Sequence, residues 1–414
     1  MFLFTKELRE SKALQQRHAI LKNQVDVEAA LLAQFRGAFS PIRRFPYEVL
    51  GIIFRFAVLV PAGTPLDALG RKTLLDLGLV CRGWRRASLL EHRLWSTLAA
   101  PLGTYEEITA WFGRSGKVSK SLMLVPGAEE RDHDHYLTGS TTLRLLTEGP
   151  PLDHLCIECD EVKALAELIH HVEVNRNEGA NRPWDNLLSL AIDIAYEIPD
   201  AWRLDREIPP ASIFAYLPPV EALVICVPAK ESVCTEGMHI HMPRNLPIGV
   251  TPVLNHLTTF NFSCDWDGAH SLILLQHCSN LEHLTVEFNA ITITPSLLTS
   301  QPFPTDAILL PKLKTLELRQ LHRISDQLQI LRTLVTPNLT SLDIDFDEND
   351  LIISEDTFPD LEGFLTRSQC QDTLRHLRFY QARVISPEFL PDIFDLTPAV
   401  THLILDTIEL PQMF

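Results

Sequence analysis

The chain has 414 residues, of which 46% are hydrophobic and 21% are charged, and this composition suits a folded chain with a buried core better than a disordered one. Residues 1–100 carry 15 Lys and Arg against 8 Asp and Glu, whereas the remainder carries 21 against 45. Because residues 101–414 carry many more acidic than basic side chains, they repel a phosphate backbone. We therefore expect no nucleic-acid partner for this part of the chain.

The first predicted element is a helix over residues 1–39. Residues 7–35 contain neither Gly nor Pro, and Leu14, Leu21, Val25 and Leu32 follow one another at steps of seven, four and seven residues. This spacing places them on one helix face, as in a coiled-coil seam. The seam suits either pairing with another chain or packing on the chain's own domain, and we expect packing.

Three short apolar segments follow between residues 40 and 100: "FPYEVLGIIF", "LVCRGWRRAS" and "LWSTL". The first predicts a helix over Tyr47–Val58, with Pro46 suited to its first turn because proline lacks an N–H that would be unsatisfied there. Helices this short cannot enclose a large core alone. They therefore need cover from the rest of the chain or from a partner.

These three blocks resemble the F-box, and with the preceding "SPIRR" they are similar to F-box proteins expanded in mushroom-forming fungi. Phe45 replaces the usual Leu, Tyr47 stands where Pro is common, and the connection after the first block is longer. The resemblance implies binding to the acidic adaptor subunit of a cullin-RING ubiquitin ligase. It places the adaptor contacts at Phe45, Pro46, Val49, Leu50, Ile53, Val80, Cys81 and Trp84.

Two further interpretations concern the same segment. Ile53, Val80 and Trp84 could instead belong to an internal core. Nearby arginines would steer an acidic partner toward the segment, namely Arg43, Arg44, Arg82, Arg85 and Arg86.

Residues 101–414 repeat a short pattern of the form apolar-x-x-apolar-x-apolar. Nine matches begin at Leu152, Leu187, Val220, Leu257, Leu281, Leu313, Leu339, Leu374 and Val400, and "SKSLML" at Ser119 is a weaker one. Helical segments lie between several of them, for example "EVKALAELIHH". Strands that alternate with helices predict an α/β solenoid with a parallel sheet. The pattern resembles irregular leucine-rich repeats, although it lacks their regular Asn or Cys.

Polar positions that alternate with the apolar ones are expected to line the concave face of this sheet. We predict that they bind a target protein, with a preference for a basic segment because most are acidic. The alternative is that they are solvated strand residues. The predicted set is Glu158, Glu221, Glu282, Glu317, Asp343 and Arg378.

Two motifs that suggest other chemistry do not fit it. "GRSGKVS" lacks the spacing of a phosphate-binding loop. "CIEC" falls within a predicted strand, where Cys156 and Cys159 would point to opposite faces, so neither a metal site nor a redox pair is expected. We predict no cofactor, no metal and no catalytic residue.

The sequence lacks a run of eighteen apolar residues and a secretory leader, so membrane insertion and secretion are not expected. Eight cysteines without paired spacing suit a reducing compartment, the cytoplasm or the nucleus. The resulting hypothesis divides the chain into 1–39 (helix), 40–100 (F-box) and 101–414 (solenoid). It would be a non-catalytic substrate-recognition subunit of an SCF-type ubiquitin ligase. The alternative is an interaction scaffold that is not coupled to ubiquitin transfer.

Overall fold

The computed structural model describes residues 2–38, 45–58, 65–100, 104–125, 135–159, 162–174, 182–194, 217–226, 251–264, 274–288, 307–321, 329–346, 352–353, 357–380, 383–384 and 389–406. The chain divides into two compact units. One unit comprises Met1–Thr64 and Leu69–Leu94, and the other comprises Pro65–Ala68 and Trp95–Phe414.

The first unit is helical. Its elements are α1 (Phe2–Ala38), α2 (Tyr47–Val58), α3 (Ala68–Val80, whose first residue the division assigns to the second unit) and α4 (Arg82–Leu90), followed by a 3-10 turn at His92–Trp95. The carbonyl of Pro46 accepts the N–H of Leu50 at 3.1 Å, which closes the first turn of α2. Cys81 is extended, with φ −162°, and separates α3 from α4. The helices predicted at the N terminus and at residues 47–58 are confirmed.

We call α2 to α4 the helical module, and it has buried apolar residues of its own. Leu50, Phe54 and Leu74 are each at most 2% exposed. The ring centroids of Phe54 and Trp84 lie 5.1 Å apart and join α2 to α4. The side of α2 that carries Leu50 and Phe54 is therefore its inner side.

Helix α1 does not bury its seam. All side chains described on it, those of residues 14–32, are exposed. Leu14, Leu21, Val25 and Leu32 are between 58% and 66% exposed. The expectation that this seam packs on its own domain is therefore wrong for this stretch, because nothing in the described part of the chain covers it.

The second unit is built on β-strands. They are β1 (Thr97–Ala100), β2 (Ser121–Leu124), β3 (His154–Cys159), β4 (Ser189–Ile194), β5 (Ala222–Cys226), β6 (Thr259–Cys264), β7 (His283–Phe288), β8 (Ile308–Leu309), β9 (Thr315–Leu321), β10 (Leu334–Val335), β11 (Ser341–Phe346), β12 (Ile352–Ile353), β13 (His376–Tyr380), β14 (Arg383–Val384) and β15 (His402–Asp406). Among the described residues, eleven of these strands form one sheet in the order β1-β2-β3-β4-β5-β6-β7-β9-β11-β13-β15.

Every pairing in this sheet is parallel, and the order of strands along the sheet is also their order along the chain. Each sequence match yields a strand that begins two residues after the match begins. In β3, Leu155 and Ile157 are buried while Cys156 and Glu158 are partly exposed, which shows the period of two that the pattern predicts. The predicted α/β class with a large parallel sheet is confirmed.

Helices and short strands complete the second unit. The helices are α5 (Tyr105–Phe112), α6 (His135–Thr138), α7 (Ser140–Glu148), α8 (Val162–Val174), α9 (Thr251–His256), α10 (Gln329–Thr333), α11 (Thr357–Ser368) and α12 (Phe389–Leu396), with a 3-10 turn at Pro183–Asn186. Two small parallel sheets join β8 to β10 and β12 to β14. The sheet begins at β1, inside the segment that the sequence assigned to the F-box.

Candidate functional site

An exposed apolar stripe runs along one side of α2. Val49, Ile52, Ile53 and Phe56 are 40%, 44%, 40% and 75% exposed, and their spacing places them on one helix face. We call these four residues the α2 stripe. Because Leu50 and Phe54 occupy the other side, α2 is apolar on two sides and buries only one of them.

The beginnings of α2 and α4 come together, although the sequence separates them by more than thirty residues. The guanidinium of Arg86 lies 5.1 Å from the ring centroid of Tyr47. A Cβ at Gly83 would be 3.7 Å from Cε1 of Tyr47 and 3.8 Å from Sγ of Cys81. The thiol of Cys81 caps α4 by accepting the N–H of Trp84 at 3.5 Å. The "FPY" and "CRGW" blocks therefore meet in space.

The residues that the F-box resemblance assigns to the adaptor fall into three groups. Five of them are exposed, namely Phe45, Pro46, Val49, Ile53 and Val80. Cys81 and Trp84 are half-buried, and Leu50 is buried. Trp84 contacts Phe54, which agrees with the alternative core role.

The prediction that Leu50 contacts the adaptor requires a correction. Its side chain is 2% exposed, so it cannot form part of a contact surface while the module is folded as described. Leu50 lies one position after Val49, which turns it toward the inner side of α2. Its side chain is therefore part of the core of the module and not of the α2 stripe.

Arginines lie on the surface of the module. Arg82, Arg85 and Arg86 are all exposed at the beginning of α4. Arg43 and Arg44 lie outside the described residues. A cationic group beside an apolar surface favours an acidic partner.

The large sheet has one polar face, and three of the predicted target-binding residues lie on it in adjacent strands. Glu317 of β9 is the register partner of Asp343 of β11, which in turn pairs with Arg378 of β13. Adjacent strands are about 4.8 Å apart, so these three side chains are neighbours.

Ion pairs connect this group to its surroundings. Arg319 donates to Glu317 at 2.6 Å, and Arg378 lies 3.6 Å from Asp343 and 3.5 Å from Asp406. Arg319, Asp343 and Arg378 border a cleft of about 270 Å³, which we call the charged cleft. It is lined by Glu287, Arg319, Gln320, Asp343, Asp345, Arg378 and Tyr380.

Burial changes the electrostatics of the charged cleft. It raises the pKa of Asp343 despite the attraction of Arg378, because loss of hydration outweighs that attraction. Burial and then the charge of Asp343 raise the pKa of Asp345. Oδ1 of Asp345 and Nε of Arg378 are buried and have no hydrogen-bond partner among the described residues. Unpaired polar atoms that are buried in this way are unfavourable, so the side chains around the charged cleft are not fully satisfied by one another.

Glu158 lies elsewhere on the same face. Five strand spacings separate β3 from β9, or roughly 24 Å, so Glu158 is not part of the charged cleft. Its register partner is Asp193, and burial followed by the charge of Asp193 raises its pKa. Burial also raises the pKa of the neighbouring thiol of Cys156 to about 12, which keeps it protonated.

Glu221 and Glu282 do not lie on the strands to which the sequence assigned them. Each precedes its strand by one residue, at the edge where β5 and β7 begin. Oε2 of Glu282 accepts from Nζ of Lys314 at 2.6 Å, and this contact lowers its pKa. The second position of the repeated pattern falls in the turn before the strand, and this explains the error.

Sequence reasoning overlooked several residues of these surfaces. Ile52 and Phe56 follow Val49 by three and seven residues, so helical periodicity could have found them. Tyr380 follows Arg378 by two residues, so strand alternation could have found it. Gln320 has no such signal. It has a positive φ of 55°, next to the register irregularity between β9 and β11.

Comparison with protein-family models finds no match, and comparison with curated proteins also finds none. Within the described residues, no helix combines the length and apolar character that crossing a membrane requires. The same part of the chain contains no group of three or more His, Cys, Asp or Glu side chains arranged to hold a metal ion.

Proposed function

We propose that this chain is a substrate-recognition subunit of an SCF-type cullin-RING ubiquitin ligase. In this proposal the helical module is an F-box that binds the acidic adaptor subunit. The second unit is an irregular leucine-rich-repeat-like solenoid that binds a target protein. The chain performs no chemical step, and it raises the effective concentration of target lysines near the ubiquitin-loaded enzyme.

The α2 stripe is the observation that carries the proposal. Four large apolar side chains on one helix face are exposed at 40% or more, while the opposite side of the same helix is already buried. Clustered apolar side chains of this kind mark protein interaction sites on soluble proteins. Val80 at the end of α3, 60% exposed, extends the apolar character to the second block of the resemblance.

The charge of the module supports an acidic partner. Arg82 and Arg85 are exposed where α4 begins, beside the half-buried Cys81. Such a cationic rim accelerates the encounter with an acidic protein, whereas the apolar contacts determine how slowly the complex dissociates.

The charged cleft supports the target-binding half of the proposal. Its lining has three charged side chains beyond the Arg378–Asp343 pair, namely Glu287, Arg319 and Asp345, and acidic side chains outnumber basic ones by three to two. A basic peptide segment would place its cationic groups beside the carboxylates of Glu287, Asp343 and Asp345 in this lining. We therefore assign the cleft to a basic segment of the target.

Co-expression with the adaptor, followed by size-exclusion chromatography, tests the first half. Ile53→Glu places a charge in the α2 stripe without emptying the core, unlike a change at the buried Leu50. Leu69→Glu is the matched control, because Leu69 is 71% exposed and lies about 16 Å from Val80 along α3. We expect the wild type and Leu69→Glu to co-elute with the adaptor, and we expect Ile53→Glu not to co-elute with it. A well-folded wild type that does not co-elute would contradict the proposal.

Ubiquitination of a co-purified target tests whether adaptor binding is coupled to ubiquitin transfer. Transfer should occur with wild type and fail with Ile53→Glu. Adaptor binding without any transfer to the bound target would instead favour the interaction scaffold.

A further inference from the structure

The exposed seam of α1 has a symmetry that exposure alone does not reveal. Leu14, Leu21, Val25 and Leu32 lie on one face, and His18 and Glu28 fill the remaining seam positions of the heptad pattern. The six positions follow one another at steps of four, three, four, three and four residues. This series reads the same in both directions, with its centre at residue 23.

Two copies of α1 that run antiparallel and cross at residue 23 would therefore match every seam position. Leu14 would face Leu32 of the other copy, and Leu21 would face Val25. His18 would face Glu28, and an imidazole opposite a carboxylate can donate a hydrogen bond to it. The apolar layers lie on both sides of each polar layer.

Charge favours this direction over the parallel one. Arg17, His18 and Lys22 lie in the first half of the segment, and Asp26 and Glu28 lie in the second half. Antiparallel pairing lays the basic half of each helix along the acidic half of the other. Parallel pairing would bring Glu28 against Glu28, and like charges across a seam are unfavourable. At the rim beside the crossing point, Lys22 meets its own counterpart, where exposure screens the repulsion.

The other exposed apolar residues of α1 do not share this symmetry. Ile20, Val27 and Leu31 lie about 115° around the helix from the seam, at about 100° per residue. Inversion about residue 23 would place them opposite Asp26, Ala19 and Gln15. About residue 23 these three side chains therefore have no large apolar counterpart, whereas the four apolar seam residues match one another.

We propose that this seam joins two copies of the chain into an antiparallel homodimer centred on residue 23. The matched segment, Leu14 to Leu32, is about 27 Å long at 1.5 Å per residue. Pairing covers four large apolar side chains on each copy that are at least 58% exposed in the single chain. The inference goes beyond the proposed function and does not depend on it.

Sedimentation of the full chain and disulfide cross-linking test the proposal together. The expected mass is twice the 46.8 kDa of one chain. Separately purified Leu14→Cys and Leu32→Cys variants should cross-link when mixed, and each should fail to cross-link to itself. A folded wild type that stays monomeric over a concentration series overturns the proposal, as does a trimer. Self-cross-linking of Leu14→Cys alone also overturns it, because only a parallel pair brings the two copies of position 14 together.

A charge inversion tests the polar layers without changing the apolar ones. Glu28→Lys should raise the dimer dissociation constant about tenfold, and combining it with His18→Glu should restore wild-type affinity. Asn23→Lys is the control, because Asn23 lies on the side of the helix opposite Leu14 and should leave the affinity unchanged. Equal effects of Glu28→Lys and Asn23→Lys would contradict the predicted layers.

Discussion

Gly51 of α2 lies so close to Glu91 that a Cβ at position 51 would meet the Cβ of Glu91 at 2.9 Å. Gly51→Ala should therefore destabilise the helical module by about 1–3 kcal/mol, because the added methyl group forces α2 away from α4. Hydrogen exchange at the amides of these two helices measures the loss. Gly78→Ala is the control: its Cβ would meet Oγ of Ser88 at an ordinary 3.8 Å, so protection should stay constant or rise. Equal protection in the two variants would contradict the close approach.

Arg182 is 1% exposed and is held by hydrogen bonds. Its Nε and Nη2 donate to the carboxylate of Asp185, both at 2.7 Å, and Nη1 donates to the carbonyl of Val172 at 2.8 Å. Asp185→Ala should lower the free energy of unfolding by about 3 kcal/mol, since it leaves a buried cation without its main partner. Arg182→Met, of similar size and uncharged, should cost less. Urea unfolding of both variants checks the order, and the reverse order would contradict it.

Glu158 and Asp193 are register partners with raised pKa values, so their effect on stability depends on pH. A carboxyl group whose pKa is higher in the folded state binds its proton more tightly there. It favours folding at low pH and loses that contribution as pH rises through the folded pKa. Glu158→Gln should therefore raise the melting temperature at pH 7 and have a progressively smaller effect toward pH 4.5, the ordinary pKa of Glu.

The gain from Glu158→Gln at neutral pH should reach up to ~1 kcal/mol, the scale of cross-strand charge pairs. Thermal melts at several pH values check it. Glu221→Gln removes the same charge at the exposed edge before β5 and serves as the control. A gain from Glu158→Gln that grows as pH falls would disprove the assigned cause.

Charge reversal at Arg82 and Arg85 tests electrostatic steering toward the proposed adaptor. The double Glu variant should slow association about tenfold at low salt and leave the dissociation rate almost unchanged. Surface plasmon resonance at two ionic strengths measures both rates. Lys72→Glu is the control for the measurement at physiological salt, where ions screen charges beyond about 8 Å; Lys72 lies about 12 Å from Val80 along α3, so its effect should be smaller there. A loss confined to the dissociation rate would argue against steering.

The strands could be predicted because each match to the repeated pattern places apolar residues at the positions that a strand of this sheet has to bury. In every match before the last, the fourth and sixth positions, such as Leu342 and Ile344, are buried on one face of the sheet, and the first position, such as Leu339, is buried before the strand begins. Three apolar anchors at fixed spacing leave little choice of register or face. The same parity placed Asp343 and Arg378 correctly on the polar face.

Other features could not be predicted from the sequence, because they depend on contacts between segments that are distant along the chain. The two apolar sides of α2 are equivalent as patterns, and only the packing of Gly51 and Phe54 on α4 decides that Leu50 lies inside while Ile53 lies outside. The grouping of Glu317 with Arg378, and the separation of Glu158 from both, follows from strand order along the whole sheet.

The order of strands along the large sheet bears on how the chain is made. Each inner strand of this sheet pairs with the previous and the next sheet strand in sequence, and β1 and β15 form its two ends. A chain leaving the ribosome can therefore add every new strand to an edge that has already formed, and no strand has to wait for a distant segment to be synthesised. Synthesis and assembly of the sheet can therefore proceed in the same direction, and the unpaired backbone groups at the growing edge are covered as each new strand is added.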